Sequence, residues 1–185
     1  NTIAMLAMMA ACFTATISCS NEDVPVSSQT VASVKSLEGE NTVHSFDLMY
    51  PGIYVPKGKK HTIKGSGSLT AKSVGFETIP PMAGGIGAGN GKSCGSIFIE
   101  GGTVTAYGGL NAAAIGSATD ATCDTIVIAN TVTSVTAIKH AKALCNIGVG
   151  NDFSTCAKVT IGGTDLWEDV EFKNDGDVKL TQDTF

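Results

Sequence analysis

Three stretches of the sequence begin alike and decide the fold: IGAGNGKSCGSIFIEGGTVTA at 86–106, IGSATDATCDTIVIANTVTSVTA at 115–137 and IGVGNDFSTCAKVTIGG at 147–163. Each opens with Ile-Gly, carries a cysteine eight or nine residues later and then runs into an Ile- or Val-rich triplet. A second short run, TVTA at 103–106, recurs as SVTA at 134–137 and as SLTA at 68–71. Self-similarity with a period of about thirty residues indicates a repeat architecture.

The repeated unit is expected to be β, because strand-length runs of alternating apolar residues are separated by Gly-Gly and Asn. Coils stacked about 4.8 Å apart place equivalent side chains in ladders. The predicted fold is all-β: a short right-handed parallel β-solenoid, or β-helix, of about three to four coils over residues 61–163. Its inward ladders are predicted to hold aliphatic side chains: Ile63, Ile99, Ile128 and Ile161 on one strand, and Ile86, Ile115 and Ile147 at the opening corner.

Covers are expected at both ends of the solenoid, because exposed parallel strand edges invite aggregation. Residues 44–60, which include Phe46, have enough apolar bulk for an N-terminal cap. At the other end, residues 164–185 are predicted to form an acidic C-terminal cap with a turn at Asn-Asp-Gly. From Asp165 to Phe185 there are seven acidic residues and two lysines, and this acidity would discourage edge pairing.

The N-terminal segment is typical of a secretory leader. The uncharged run TIAMLAMMAACFTATIS at 2–18 has the length of a signal-peptide core and is too short for a full membrane span. We expect residues 1–18 to be a signal peptide that is truncated at its start, because the sequence opens at Asn1 without a Met or a basic segment. The polar, Ser-rich residues 19–43 are then expected to be a tether, and the alternative for part of this segment is pairing as a first strand.

The end of the leader, TISC followed by SNED, resembles a bacterial lipobox. The resemblance implies that Cys19 becomes the lipidated first residue after cleavage, although Thr16 departs from the usual leucine. The acidic run at 20–23 resembles the export signal of surface lipoproteins in Bacteroidetes. The alternative is an ordinary signal peptide that ends near Ala15 or Ser18. Both interpretations predict export, and the first predicts a lipoprotein on the outer membrane at the cell surface.

Charge and composition exclude some partners and cofactors. The net charge is -5, with twelve lysines and no arginine, so no basic stripe is available for nucleic acid. Any contact with a membrane is expected through the lipid anchor alone. The segment GGIGAGNGKSC at 84–94 fails the phosphate-loop spacing, because Ile86 stands where a glycine is needed. No cofactor is predicted.

Several residues resemble metal or redox ligands. Cys94, Cys123 and Cys156 share one repeat position, whereas Cys145 does not, and no CxxC pair is present to indicate zinc. A ladder of packed thiols is expected, with an intercoil disulfide as the alternative because neighbouring α-carbons would lie about 5 Å apart. No metal site is predicted. At near-equivalent corners three residues have oxygen ligands suited to calcium, and turn formation is their simpler role: Asn90, Asp120 and Asp152.

Catalytic machinery is not expected. His44, His61 and His140 share no repeat position, so no triad is predicted and all three are expected at the surface. The repeats carry isolated charged residues rather than the paired carboxylates that glycosidases use. The aromatic residues best placed to contact a glycan are Tyr107, Phe153 and Trp167.

Residues 53–163 resemble Gly-rich β-helical repeats of bacterial surface proteins, through VPKGKKHTIKGSGSLTA at 55–71 and GGIGAGNGKSCGSIFIEGGTVTA at 84–106. Related parallel β-helices include carbohydrate-binding modules and polysaccharide lyases. The resemblance implies the fold and a surface context rather than an activity. From the leader, the repeats and the missing catalytic set, we expect a non-catalytic cell-surface lipoprotein whose solenoid binds polysaccharide or host glycans, or acts in adhesion. The alternatives are a polysaccharide lyase or hydrolase, and a structural module that assembles through its ends.

Overall fold

The repeat folds into strands that wind around one apolar core. The structure is a computed structural model and describes residues 34–76, 78–165 and 178–184. Each coil contributes three strands. The first two coils contain β1 (Val34–Leu37), β2 (Glu40–Ser45), β3 (Ile53–Tyr54), β4 (Lys60–Gly65), β5 (Ser68–Ser73) and β6 (Ile86–Gly87). The next two contain β7 (Ser96–Ile99), β8 (Thr103–Tyr107), β9 (Ile115–Gly116), β10 (Thr122–Ile128), β11 (Ser134–Ile138) and β12 (Ile147–Gly148).

Equivalent strands of successive coils pair in parallel and form three sheets. Sheet A contains β1, β4, β7 and β10, sheet B contains β2, β5, β8 and β11, and sheet C contains β3, β6, β9 and β12. A further strand, β13 (Thr155–Ile161), extends sheet A and is followed by the short antiparallel strand β14 (Thr164–Asp165). The predicted all-β parallel solenoid is therefore confirmed, with about four turns.

The register of the strands confirms the predicted inward ladders. In sheet A, Ile99 pairs with Ile63 and with Ile128, and Ile128 pairs with Ile161. In sheet C, the Ile-Gly pairs that open the repeats lie directly against one another. All of these isoleucines are buried. Each contributes about 1.5–3 kcal/mol through burial of its side chain, so the ladders supply the main driving force for stacking.

The solenoid begins before the predicted boundary at residue 61. Strand β2 pairs with β5 over its whole length, from Glu40 with Ser68 to Ser45 with Ser73, and β3 pairs with β6. Residues 34–37 and 40–43 of the predicted tether therefore pair as strands of a first coil, and residues 44–60 of the predicted cap contribute to the first two coils. This first coil lacks the Ile-Gly and cysteine markers of the later repeats. Only the alternating side chains of ENTVHS at 40–45 indicate it in the sequence.

His61 also departs from the prediction that it lies on the surface. Its side chain is 1% exposed, and its Cα partner in the next coil is Ile97. The histidine thus occupies the inward position that isoleucine fills in the following two coils. Position in the ladder, rather than polarity, decides its burial.

At the C-terminal end, β15 (Val178–Thr181) lies within the predicted cap and pairs antiparallel with β11, which covers that edge of sheet B. A 3-10 turn at Gln182–Thr184 follows. Residues 166–177, the predicted signal peptide at 1–18 and Cys19 lie outside the described residues. Within the described ranges, no helix is long and apolar enough to cross a membrane.

Candidate functional site

Exposed apolar side chains are concentrated where the chain passes from sheet B to sheet C. We call this surface the BC corner; it comprises the loops at 46–52, 74–76, 78–85 and 108–114, and Tyr107 at the end of β8. Six large hydrophobic side chains are exposed in the described part of the chain, and five lie on this corner: Phe46, Met49, Phe76, Ile79 and Tyr107. Contiguous exposed apolar surface is typical of interaction sites, so the BC corner is the candidate site.

Backbone hydrogen bonds join the three loops of the BC corner into one surface. The Met82 N–H donates to the Leu48 carbonyl oxygen at 2.7 Å, which ties the second coil to the first. The Leu110 N–H donates to the Pro81 carbonyl oxygen at 2.6 Å, which ties the third coil to the second. These bonds fix the backbone of each loop to that of the next along the solenoid axis.

Local turns project these side chains outward. In the first loop, the Met49 N–H donates to Asp47 Oδ1 at 2.9 Å, and the Tyr50 N–H donates to the Asp47 carbonyl oxygen at 3.1 Å. In the second loop, the Ile79 N–H donates to the Phe76 carbonyl oxygen at 3.0 Å, and this turn leaves Phe76 67% and Ile79 47% exposed. These turns leave apolar side chains facing solvent at the corner.

A column of outward side chains at the end of sheet B borders the corner. His44, Lys72 and Tyr107 follow one another in register. The His44 ring meets Phe46 edge-on, with centroids 6.2 Å apart. Partial burial, and secondly the charge of Lys72, lower the pKa of His44 below 6.5. The imidazole is therefore neutral at pH 7, and Lys72 is the charged group of this column.

Sheet B also carries a flat strip of hydroxyl groups beside the corner. Its central outward column consists of one threonine from each coil, and the four are Cα partners in sequence: Thr42, Thr70, Thr105 and Thr136. β-branched side chains are restricted at χ1 in strands, so these hydroxyls form an ordered row. The strip offers hydrogen-bonding groups next to the aromatic surface.

The aromatic residues predicted to contact a glycan do not lie together in the structure. Tyr107 lies on the BC corner and is 39% exposed. Phe153 is 79% exposed but lies in the turn between sheets C and A, before β13, so the two rings belong to different corners. Trp167 lies outside the described residues. Sequence reasoning missed Phe76 as a contact residue and placed Phe46 in a covering cap. Phe76 lies before the first Ile-Gly and cysteine markers, and Phe46 precedes the predicted repeats.

The three residues considered for calcium take part in loop contacts or turns. The Asn90 side-chain amide donates to the sulfur atoms of Met49 and Met82 at 3.7 and 3.6 Å, so it supports the BC corner. Asp120 adopts a left-handed conformation, with φ of 52°, in a turn, and Asp152 follows in the equivalent turn of the next coil. No cluster of three or more His, Cys, Asp or Glu side chains suited to a metal ion occurs at 34–76, 78–165 or 178–184.

The repeat cysteines form the predicted ladder of packed thiols. Cys123 pairs in parallel with Cys94 on one side and with Cys156 on the other, and all three thiols are free and buried. A hydrogen bond with Cys156 lowers the pKa of Cys123, but the contact with Cys94 and burial raise it well above its ordinary value. The hydrogen bond with Cys123, then burial, also raises the pKa of Cys156. Cys123 and Cys156 are therefore protonated in the folded ladder.

Cys145 is buried as well, but it lies outside the ladder register.

Searches of protein-family models, of curated proteins and of solved structures found no match to this chain.

Proposed function

We propose that this protein is the non-catalytic binding module of an exported cell-surface lipoprotein, and that it binds glycans through the BC corner. The observation that carries this proposal is the concentration of exposed Phe46, Phe76 and Tyr107 on one corner, each from a different coil. Exposed rings on separate, rigidly joined loops provide a contact surface without the cost of ordering that surface during binding.

The chemistry of the corner favours a sugar ligand. Aromatic rings present flat apolar faces with a negative quadrupole, against which the C–H faces of sugar rings pack. Successive coils are spaced about 4.8 Å apart, which is close to the length of one residue in an extended polysaccharide. A polysaccharide that lies along the solenoid axis would then cross the loop of each coil in turn, with the threonine strip available for its hydroxyl groups.

The polar side chains at the BC corner hold the loops in place, and this structural role supports binding rather than catalysis. The Asp47 carboxylate accepts the Met49 N–H and holds the first turn, and Asn90 supports the loops from beneath. Both groups stabilise the shape of the corner. The leader, with Cys19 as the lipidated residue, supplies the proposed attachment to the outer membrane.

A glycan array probed with the purified protein tests the proposed binding. We expect retention on extended polysaccharides, and we expect Phe76→Ala to weaken that binding at least fivefold, because the ring contributes contact area at the centre of the corner. Phe153→Ala is the matched control, since this ring is more exposed but lies on another corner. Its affinity should equal that of the unmodified protein.

Two results would contradict the proposal. One is the absence of any glycan signal above background on the array. The other is an equal loss of affinity in Phe153→Ala and Phe76→Ala, which would place the contact away from the BC corner. Release of shortened or unsaturated sugar products during incubation would indicate a catalytic function instead.

A further inference from the structure

The cysteine ladder brings three thiols within bonding range in the core. Cys94, Cys123 and Cys156 come from three successive coils of sheet A, and Cys123 lies between the other two. Parallel strands about 4.8 Å apart place neighbouring α-carbons inside the range of about 4.4–6.8 Å that a disulfide requires. The central Cys123 has two neighbours but can form one bond, so oxidation must select one pair and leave one thiol.

We propose that the ladder is an oxidative modification site, at which Cys123 and Cys156 form an intercoil disulfide while Cys94 stays reduced. The oxidant is a disulfide compound, either a small molecule or a protein, of the kind that an exported chain meets. The reaction is thiol–disulfide exchange.

The position of Cys156 in the last coil selects this pair. In β10, Ile126 and Ile128 are fully buried, whereas their partners in β13, Val159 and Ile161, are 6% and 9% exposed. β13 is therefore the least covered strand of the ladder, and beyond it the described part of sheet A continues only into the two-residue strand β14. Local opening begins at such ends, where few contacts must break.

Cys94 is protected by its position inside the stack. It lies two coils further from the C-terminal end than Cys156, and Pro56 of the preceding coil bridges to it. Opening of β13 exposes the Cys156 thiol and one side of Cys123, but it leaves Cys94 covered by the neighbouring coils. Reagents therefore reach Cys156 first.

Two exchange steps complete the reaction. In the opened strand, the Cys156 thiol loses its proton, and the thiolate attacks the reagent disulfide to form a mixed disulfide and release one reagent thiol. Cys123 then attacks the Sγ of Cys156 and displaces the second reagent thiol. The two cysteines lose two electrons to the reagent, and their two protons end on the two released thiols. Because burial disfavours thiolates, both steps belong to the opened state.

The resulting bond would fasten the last coil to the one before it. Cys156 follows Cys123 by 33 residues, and closing a loop of this length stabilises the folded state mainly by restricting the unfolded chain. We expect the melting temperature of the oxidised protein to rise by about 10 °C, with the increase reversed by dithiothreitol.

Mass spectrometry of the full chain tests the site directly. The reduced, folded protein is equilibrated with glutathione disulfide, its remaining thiols are alkylated in denaturant, and its peptides are mapped without reduction. The expected map joins the peptides of Cys123 and Cys156, with Cys94 alkylated. Ile161→Ala should speed the oxidation several-fold, because it removes packing from β13, whereas Phe153→Ala should leave the rate unchanged.

A Cys94–Cys123 link as the main product, or alkylation of all three ladder cysteines after prolonged equilibration, would overturn the inference. Mapping of the unmodified chain avoids dependence on a variant that fails to fold. Cys145→Ser provides a second check, since the ladder disulfide should form unchanged in that variant. The outcome is independent of glycan binding, so failure here leaves the proposed function standing.

Discussion

Gly87 and Gly116 lie so close in adjacent coils that a Cβ atom built on Gly87 would stand 2.3 Å from the Gly116 carbonyl oxygen. The same relationship holds one coil later, where a Cβ atom on Gly116 would stand 2.3 Å from the Gly148 carbonyl oxygen. Both glycines also have positive φ angles, of 128° and 136°. The Ile-Gly dipeptide that opens each repeat therefore permits the close stacking of sheet C.

Gly116→Ala should destabilise the protein by at least about 3 kcal/mol, because it adds a backbone clash to the strain of a positive φ angle. Gly148→Ala is the matched control. Its φ angle is 109°, but the nearest atom to its new Cβ would be Val159 Cγ2 at 3.5 Å, an ordinary contact. Strain alone should cost about 1–3 kcal/mol. Urea denaturation followed by circular dichroism measures both, and equal losses would show that the clash is relieved.

Ile128→Ala should cost about 2–5 kcal/mol, because the ladder encloses this side chain on both sides and leaves a cavity when it is truncated. Ile161→Ala should cost less, since the side chain at the same ladder position in β13 is 9% exposed. Unfolding free energies of the two variants provide the comparison. A loss in Ile161→Ala as large as that in Ile128→Ala would contradict the weaker packing of the last coil.

The pKa of His44 should lie below 6.5 in the folded protein, because burial and the Lys72 charge both disfavour the imidazolium. The unfolded chain then binds more protons, so the contribution of neutral His44 to stability is complete above pH 6.5 and is lost as pH falls through the lowered pKa. Titration of the imidazole by NMR measures the pKa directly. In Lys72→Met the pKa should rise but stay below 6.5, since burial is the larger cause. An unchanged pKa in Lys72→Met would contradict the role of that charge.

Val178→Asp should detach β15 and promote self-association. Val178 is 5% exposed and is the Cα partner of Ala137 in β11, so a carboxylate there would be buried against the core. Release of β15 would expose the edge of sheet B, which can then pair with another chain. Light scattering should show larger species in Val178→Asp, whereas Lys179→Asp, at the exposed neighbouring residue, should remain like the unmodified protein. Monodisperse Val178→Asp would show that β15 is not needed to protect the edge.

The sequence by itself determined the repeated coil and its inward ladders. Ile99, Ile128 and Ile161 could be aligned from their spacing alone, because stacking requires the same apolar residue at the same position in each coil. The cysteine ladder was predictable for the same reason. Positions that recur in each repeat can be aligned from the sequence, so the fold and the repeated core positions between residues 61 and 163 were predictable without a structure.

Only the tertiary structure decided the features that the repeated positions do not specify. The first coil, from β1 to β3, lacks the sequence markers and is recognised by its pairing with the second coil. His61 is buried because it fills an isoleucine position of the ladder. The BC corner brings together Phe46, Phe76 and Tyr107 from loops of different lengths, and that proximity depends on how the coils stack. Spacing along the chain specifies what lies inside a solenoid, whereas the loop surface is set by the contacts between neighbouring coils.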